Sequence, residues 1–110
     1  MNKADKQNLS IIYREIQKKL PGAKIYLFGS LAKNKQKKTS DYDIALDFGQ
    51  KIDLTILAEL EDIFEESDIL PTLKKVDIID LNNISEEFRN IINKYKKLLI
   101  YKNGRIEISS

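Results

Sequence analysis

The chain has 110 residues, 42% hydrophobic and 33% charged, with a formal net charge of +2 and neither cysteine nor histidine. That length allows one core and is too short for a catalytic domain plus a substrate-binding domain, so residues 1–110 read as a single domain. No apolar stretch nears the ~20 residues that span a bilayer, the N-terminus lacks a signal-peptide hydrophobic region, and the charge is too small to argue for nucleic-acid binding. The expected location is the cytoplasm.

From about Ala4 to Leu20, the residues Leu9, Ile12, Ile16 and Leu20 recur at helical spacing and predict an amphipathic helix stopped by Pro21-Gly22. The next segment, Ala23 to Phe28, is rich in β-branched and aromatic residues and predicts a buried strand entered from that turn. Gly29-Ser30 closes it. A glycine there lets the backbone bend and an anion approach closely, while the Ser30 hydroxyl and the following N–H can donate to phosphate oxygens. Residues 31–40 predict a solvated crossing loop, with room for one opening helical turn. The loop holds Lys33, Lys35, Lys37 and Lys38, whose charge either solubilises it or assists a bound triphosphate.

Between Asp41 and Phe48, the residues Tyr42, Ile44, Leu46 and Phe48 alternate with Asp41, Asp43, Ala45 and Asp47. This predicts a strand with one apolar and one acidic face, with the Asp41 and Asp43 side chains on the same side about 7 Å apart. Two such carboxylates repel unless a cation lies between them. Hard oxygen ligands suit Mg²⁺ or Mn²⁺, and a chain without histidine or cysteine does not favour an ordinary zinc site.

After a turn at Gly49-Gln50, Asp53 can cap a helix carrying Leu54, Leu57, Leu60, Ile63 and Phe64, with Glu59, Glu61, Asp62, Glu65 and Glu66 on its solvated face. Pro71 separates it from a third strand, roughly Lys74 to Leu81. Asp77, inside that apolar run, is the expected third carboxylate, because burial without a cation or donors would be costly. Asp80 is offset by three residues, should face away, and is expected to cap the strand end or the next turn. Ser85, Glu86 and Glu87 open a further helix with Phe88, Ile91, Ile92 and Tyr95 on its buried side. Asn103-Gly104 then predicts a hairpin between two short strands. The first two strands are expected to pair antiparallel, with Tyr26, Phe28, Tyr42 and Phe48 in core-facing phase.

Gly29-Ser30, ten residues, Asp41-Tyr42-Asp43, and a later Asp77 in a hydrophobic strand together resemble the nucleotidyltransferase superfamily with a DNA polymerase β-like catalytic fold. Within it the chain is similar to the minimal nucleotidyltransferases, or MNT proteins, over nearly its whole length. The resemblance implies an α+β fold, a small mixed sheet with helices packed on one face. It implies that Asp41, Asp43 and Asp77 are catalytic and bind Mg²⁺ or Mn²⁺, and that Gly29 and Ser30, with Lys33 beside them, bind the triphosphate of ATP. It further implies an antitoxin that transfers AMP to a hydroxyl, such as a tyrosine, of a HEPN-domain ribonuclease toxin. Leu31 stands where many relatives have arginine and cannot act as a charged or bidentate donor. Two alternatives remain at this level: a noncatalytic antitoxin that occludes its partner, and a small-molecule nucleotidyltransferase acting on an antibiotic hydroxyl. Exposed edge strands leave room for a homodimer or hetero-oligomer.

Overall fold

The computed structural model describes residues 1–32, 41–66 and 68–109. Among them the helices are α1 (Lys3–Lys19), α2 (Gly29–Ala32), α3 (Leu54–Glu66) and α4 (Glu86–Tyr95). The strands are β1 (Lys24–Phe28), β2 (Tyr42–Asp47), β3 (Val76–Asp80), β4 (Lys97–Lys102) and β5 (Arg105–Ser109). The strands form one mixed sheet in the order β3-β2-β1-β4-β5. β1 pairs antiparallel with both β2 and β4, β4 pairs antiparallel with β5, and β2 and β3 are parallel.

Each element forms for a local reason. Asn2 caps α1 by accepting from the Asp5 N–H at 2.8 Å, and Leu9, Ile12, Ile16 and Leu20 are all buried on the stripe their spacing defines. Gln17 ties down the turn that follows, donating to the Ala23 carbonyl at 2.9 Å and accepting from the Gly22 N–H at 3.2 Å. Asp53 accepts from the Thr55 N–H ahead of α3, and Ser85 accepts from the Phe88 N–H at the start of α4. Asn103 and Gly104 take φ of 55° and 75°, the left-handed pair that turns β4 back into β5.

The main core lies between the sheet and helices α1 and α3, with Ile25, Leu27, Tyr42, Ile44 and Leu46 supplied by the strands. A smaller cluster occupies the other face, where Ile92 of α4 packs on Ala45 and Leu81 with Tyr26, Phe28 and Ile79 at its margin. The two longest helices therefore share one face, while α4 covers part of the second, so the helices do not all pack on one face as expected. That placement corrects two further expectations. Tyr26 and Phe28 do pack, but opposite Tyr42 and Phe48, because they alternate with Ile25 and Leu27. On α4 only Ile92 is buried, and Phe88, Ile91 and Tyr95 are 40%, 56% and 47% exposed. The cluster beneath is too small to cover a wider stripe, and the Arg89 Nε donates to the Leu81 carbonyl at 2.9 Å on the same side. Likewise Leu54 opens α3 in solvent, and Leu60 is its buried residue. No described helix is long and apolar enough to cross a membrane.

Asp80 is buried and accepts from the Ile52 N–H at 2.8 Å and the Asn82 N–H at 2.9 Å, the capping role expected of it. Replacing it by alanine leaves two backbone donors without a partner. Urea unfolding of Asp80→Ala should show a loss of about 1–3 kcal/mol at an unchanged m-value.

Candidate active site

The register of β2 assembles the site. Asp43 lies opposite Phe28 on the β1 side and opposite Asp77 on the β3 side. Partners in register point to the same face, and adjacent strands are about 4.8 Å apart, so Asp43 and Asp77 stand side by side. Asp41, two residues earlier, shares their facing. Gly29 follows Phe28 directly, with φ of +74°, and a Cβ built on it would run into Asp43 Oδ2 and lie 3.0 Å from Cγ. Glycine is required here twice over, for the backbone angle and for the close approach of the carboxylate.

Burial raises the Asp43 pKa to about 6, helped by the negative charges of Asp77 and then Asp41. Asp41 is half-buried, and its Oδ1 accepts from the Lys75 N–H at 3.3 Å. Asp77 is exposed, which corrects the expectation of a carboxylate enclosed in an apolar run. β3 is an edge strand, and Ile79, not Asp77, meets the small cluster. Among the described residues no three acidic side chains gather closely enough to form a ready-made metal cage. What the three aspartates share is a face and a field. Their donors are all carboxylate oxygens, and a hard divalent cation would relieve the repulsion concentrated at Asp43, so the residues present fit Mg²⁺ or Mn²⁺.

The other acids of these strands are occupied. Asp47 accepts from the Gly49 N–H at 2.9 Å and from Asn82 Nδ2 at 3.2 Å, and those bonds hold its carboxyl below the ordinary range. Asp80 serves the backbone on the opposite face. The predicted roles of the Ser30 hydroxyl and of Lys33, Lys35, Lys37 and Lys38 fall outside the described residues. A cavity of about 750 Å³ opens between α1 and the β4–β5 hairpin, lined in part by Lys3, Lys6, Arg14 and Arg105, and includes none of the three aspartates.

Sequence reasoning missed a group directly beneath the site. Tyr42, between the two aspartates, is fully buried with its hydroxyl against Asp5 and Asn8. Burial alone would raise the Asp5 pKa, but hydrogen bonds from Tyr42 and Lys74 and the Lys74 charge hold it below the ordinary range. A signal was present: Asp5 and Asn8 precede Leu9, Ile12 and Ile16 on the same helical stripe, where a polar residue needs a partner.

The family model described as "Polymerase beta, Nucleotidyltransferase" matches residues 11–105, and the chain belongs to that family. It is 35% identical over 101 residues to "Probable protein adenylyltransferase MntA" of Haemophilus influenzae, covering 92% of this chain and 86% of that one. A Methanocaldococcus jannaschii protein also named as a protein adenylyltransferase is 40% identical over 75 residues, 68% of this chain and 72% of its own. Among solved structures, a toxin–antitoxin with AMP-PNP superposes with a TM-score of 0.67 at 26% identity, covering 83% of this chain and 71% of that chain. A mutant MntA-HpeT toxin–antitoxin, at 23% identity and a TM-score of 0.62, shares the fold over 79% of this chain and 67% of that chain.

Two measurements check this geometry. Gly29→Ala should lower stability by at least about 1–2 kcal/mol from the backbone angle alone, read by urea unfolding. Because folding raises the Asp43 pKa, its contribution to stability is present below about pH 4 and is lost as pH rises through about 6. In EDTA the melting temperature of the wild type should therefore fall, relative to Asp43→Asn, as pH is raised across that interval.

Proposed function

We propose that this protein is a metal-dependent adenylyltransferase that moves AMP from ATP to a hydroxyl, such as a tyrosine, of a HEPN-type toxin and so acts as its antitoxin. The observation that carries the reading is the register of Asp43, which brings the Gly29 turn and the Asp77 carboxylate to the same end of three adjacent strands. The relatives named as protein adenylyltransferases and the neighbouring toxin–antitoxin with AMP-PNP support it. Exposed Phe88 and Ile91 lie on α4, the helix over the same sheet face, and favour a protein acceptor over a small molecule. ATP as substrate supports a cytoplasmic location.

In this mechanism Gly29 and Ser30 hold the triphosphate, through backbone N–H groups and the Ser30 hydroxyl, with Lys33 adding charge nearby. Asp41, Asp43 and Asp77 would hold Mg²⁺ or Mn²⁺, which supplies neutralising charge to the phosphate oxygens. The acceptor oxygen forms a bond to the α-phosphorus, the bond to the bridging α–β oxygen breaks, and pyrophosphate leaves. Asp77, the exposed member of the three, takes the acceptor proton. Adenylylation near the toxin's active site would then block RNA cleavage by bulk and charge.

The test is intact-mass spectrometry of the partner toxin after incubation with this protein and Mg-ATP. A gain of one or more adenylyl groups is expected, and Asp41→Asn combined with Asp43→Asn should slow it at least about 100-fold. No mass gain, with toxin neutralisation unchanged in the double variant, would show that the protein acts by occlusion alone.

A further inference from the structure

The residue between the two paired aspartates is held at several points. Tyr42 points away from Asp41 and Asp43 into the main core, where its hydroxyl donates to Asp5 Oδ1 at 2.5 Å and accepts from Asn8 Nδ2 at 3.0 Å. Lys74 Nζ donates to the same Asp5 oxygen at 2.9 Å and lies 5.3 Å from the centre of the Tyr42 ring. Asp5 and Asn8 are 3% and 5% exposed, and the ion pair between Asp5 and Lys74 is nearly sealed from water.

The neighbouring Lys75 completes the hold from the backbone. Its carbonyl accepts the Tyr42 N–H at 2.9 Å, and its N–H donates to Asp41 Oδ1 at 3.3 Å. Tyr42 is thus fixed at hydroxyl, ring and N–H, and the Lys74-Lys75 segment that fixes it also carries the donor for Asp41. Asp41 itself has no partner in the strand register, which begins at Tyr42.

Stability alone does not require this arrangement. A phenylalanine would fill nearly the same volume, and buried ion pairs and polar groups are often replaced by apolar side chains at no loss. What a fully satisfied buried network provides is a single, well-defined position. We propose that Asp5, Asn8, Tyr42 and Lys74 are positioning residues that lock the Asp41-Tyr42-Asp43 segment, so that both carboxylates are presented together to a divalent cation and triphosphate. This rests on the adenylyl-transfer reading above.

The experiment is Mn²⁺ binding in the presence of ATP, followed by electron paramagnetic resonance, on the full chain and on Tyr42→Phe and Lys74→Met. Thermal melts establish that each protein is folded at the assay temperature. Tyr42→Phe should weaken Mn²⁺ binding about tenfold, the scale on which supporting hydrogen bonds act on metal ligands. AMP transfer should fall with it at low Mn²⁺ and recover at saturating Mn²⁺. A merely structural role would lower the melting temperature and leave the affinity of the folded protein unchanged. Wild-type affinity in the folded variants overturns the proposal, and Lys74→Met decides it if Tyr42→Phe does not fold. If the wild type binds Mn²⁺ with ATP yet transfers no AMP, the adenylyl-transfer reading fails while the affinity ratio still decides positioning. If transfer occurs and all affinities match, positioning alone fails.

Discussion

The burial of Tyr42, Ile44 and Leu46 against α1 and α3 sets everything on the opposite side of β2. A strand has a side-chain period of two, so a slip of one residue would place Asp43 in the core and expose these three. Core packing therefore determines where the carboxylates go. It fixes the register in which Asp43 meets Phe28 on one neighbour and Asp77 on the other. The main core and the candidate site are two faces of the same alignment.

Five aspartates belong to β2, β3 and the residue before β2, and their surroundings sort them. Asp47 and Asp80 each accept a backbone N–H from a turn two residues on, Asp47 also bonds the Asn82 side chain, and Asp80 bonds the Ile52 N–H, which gives both a structural use. Asp41, Asp43 and Asp77 share the strand end beside Gly29, where no compensating cation from the described residues forms an ion pair with them. The cost shows at Asp43, whose pKa rises to about 6 through burial and the two neighbouring charges. A carboxylate held in that condition is suited to a cationic ligand more than to a structural bond.

Much of this was legible in the residues. Helical spacing of Leu9, Ile12, Ile16 and Leu20, alternation from Asp41 to Phe48, and the Asn103-Gly104 turn each located an element, because each depends on local geometry. The spacing from Gly29-Ser30 to Asp41 and Asp43 marked the proposed site for the same reason. The facing of Tyr26 and Phe28, the exposure of Phe88 and Ile91, and the solvent access of Asp77 were not legible. They depend on how large a surface α4 finds beneath it and on β3 lying at the sheet edge, which are properties of assembly. The Asp5–Tyr42 contact was hidden by sequence distance, although a tyrosine hydroxyl in core phase already demanded a partner.

The proposed function gives this register a use, and its central claim is that the three aspartates and the Gly29 turn receive one metal-bound triphosphate. Anomalous diffraction from crystals grown with Mn²⁺ and a non-hydrolysable ATP analogue tests it directly. The account predicts a manganese peak about 2.0–2.2 Å from oxygens of Asp41 and Asp43, with the triphosphate against Gly29. A peak elsewhere on the protein, or nucleotide bound away from β2, would contradict it.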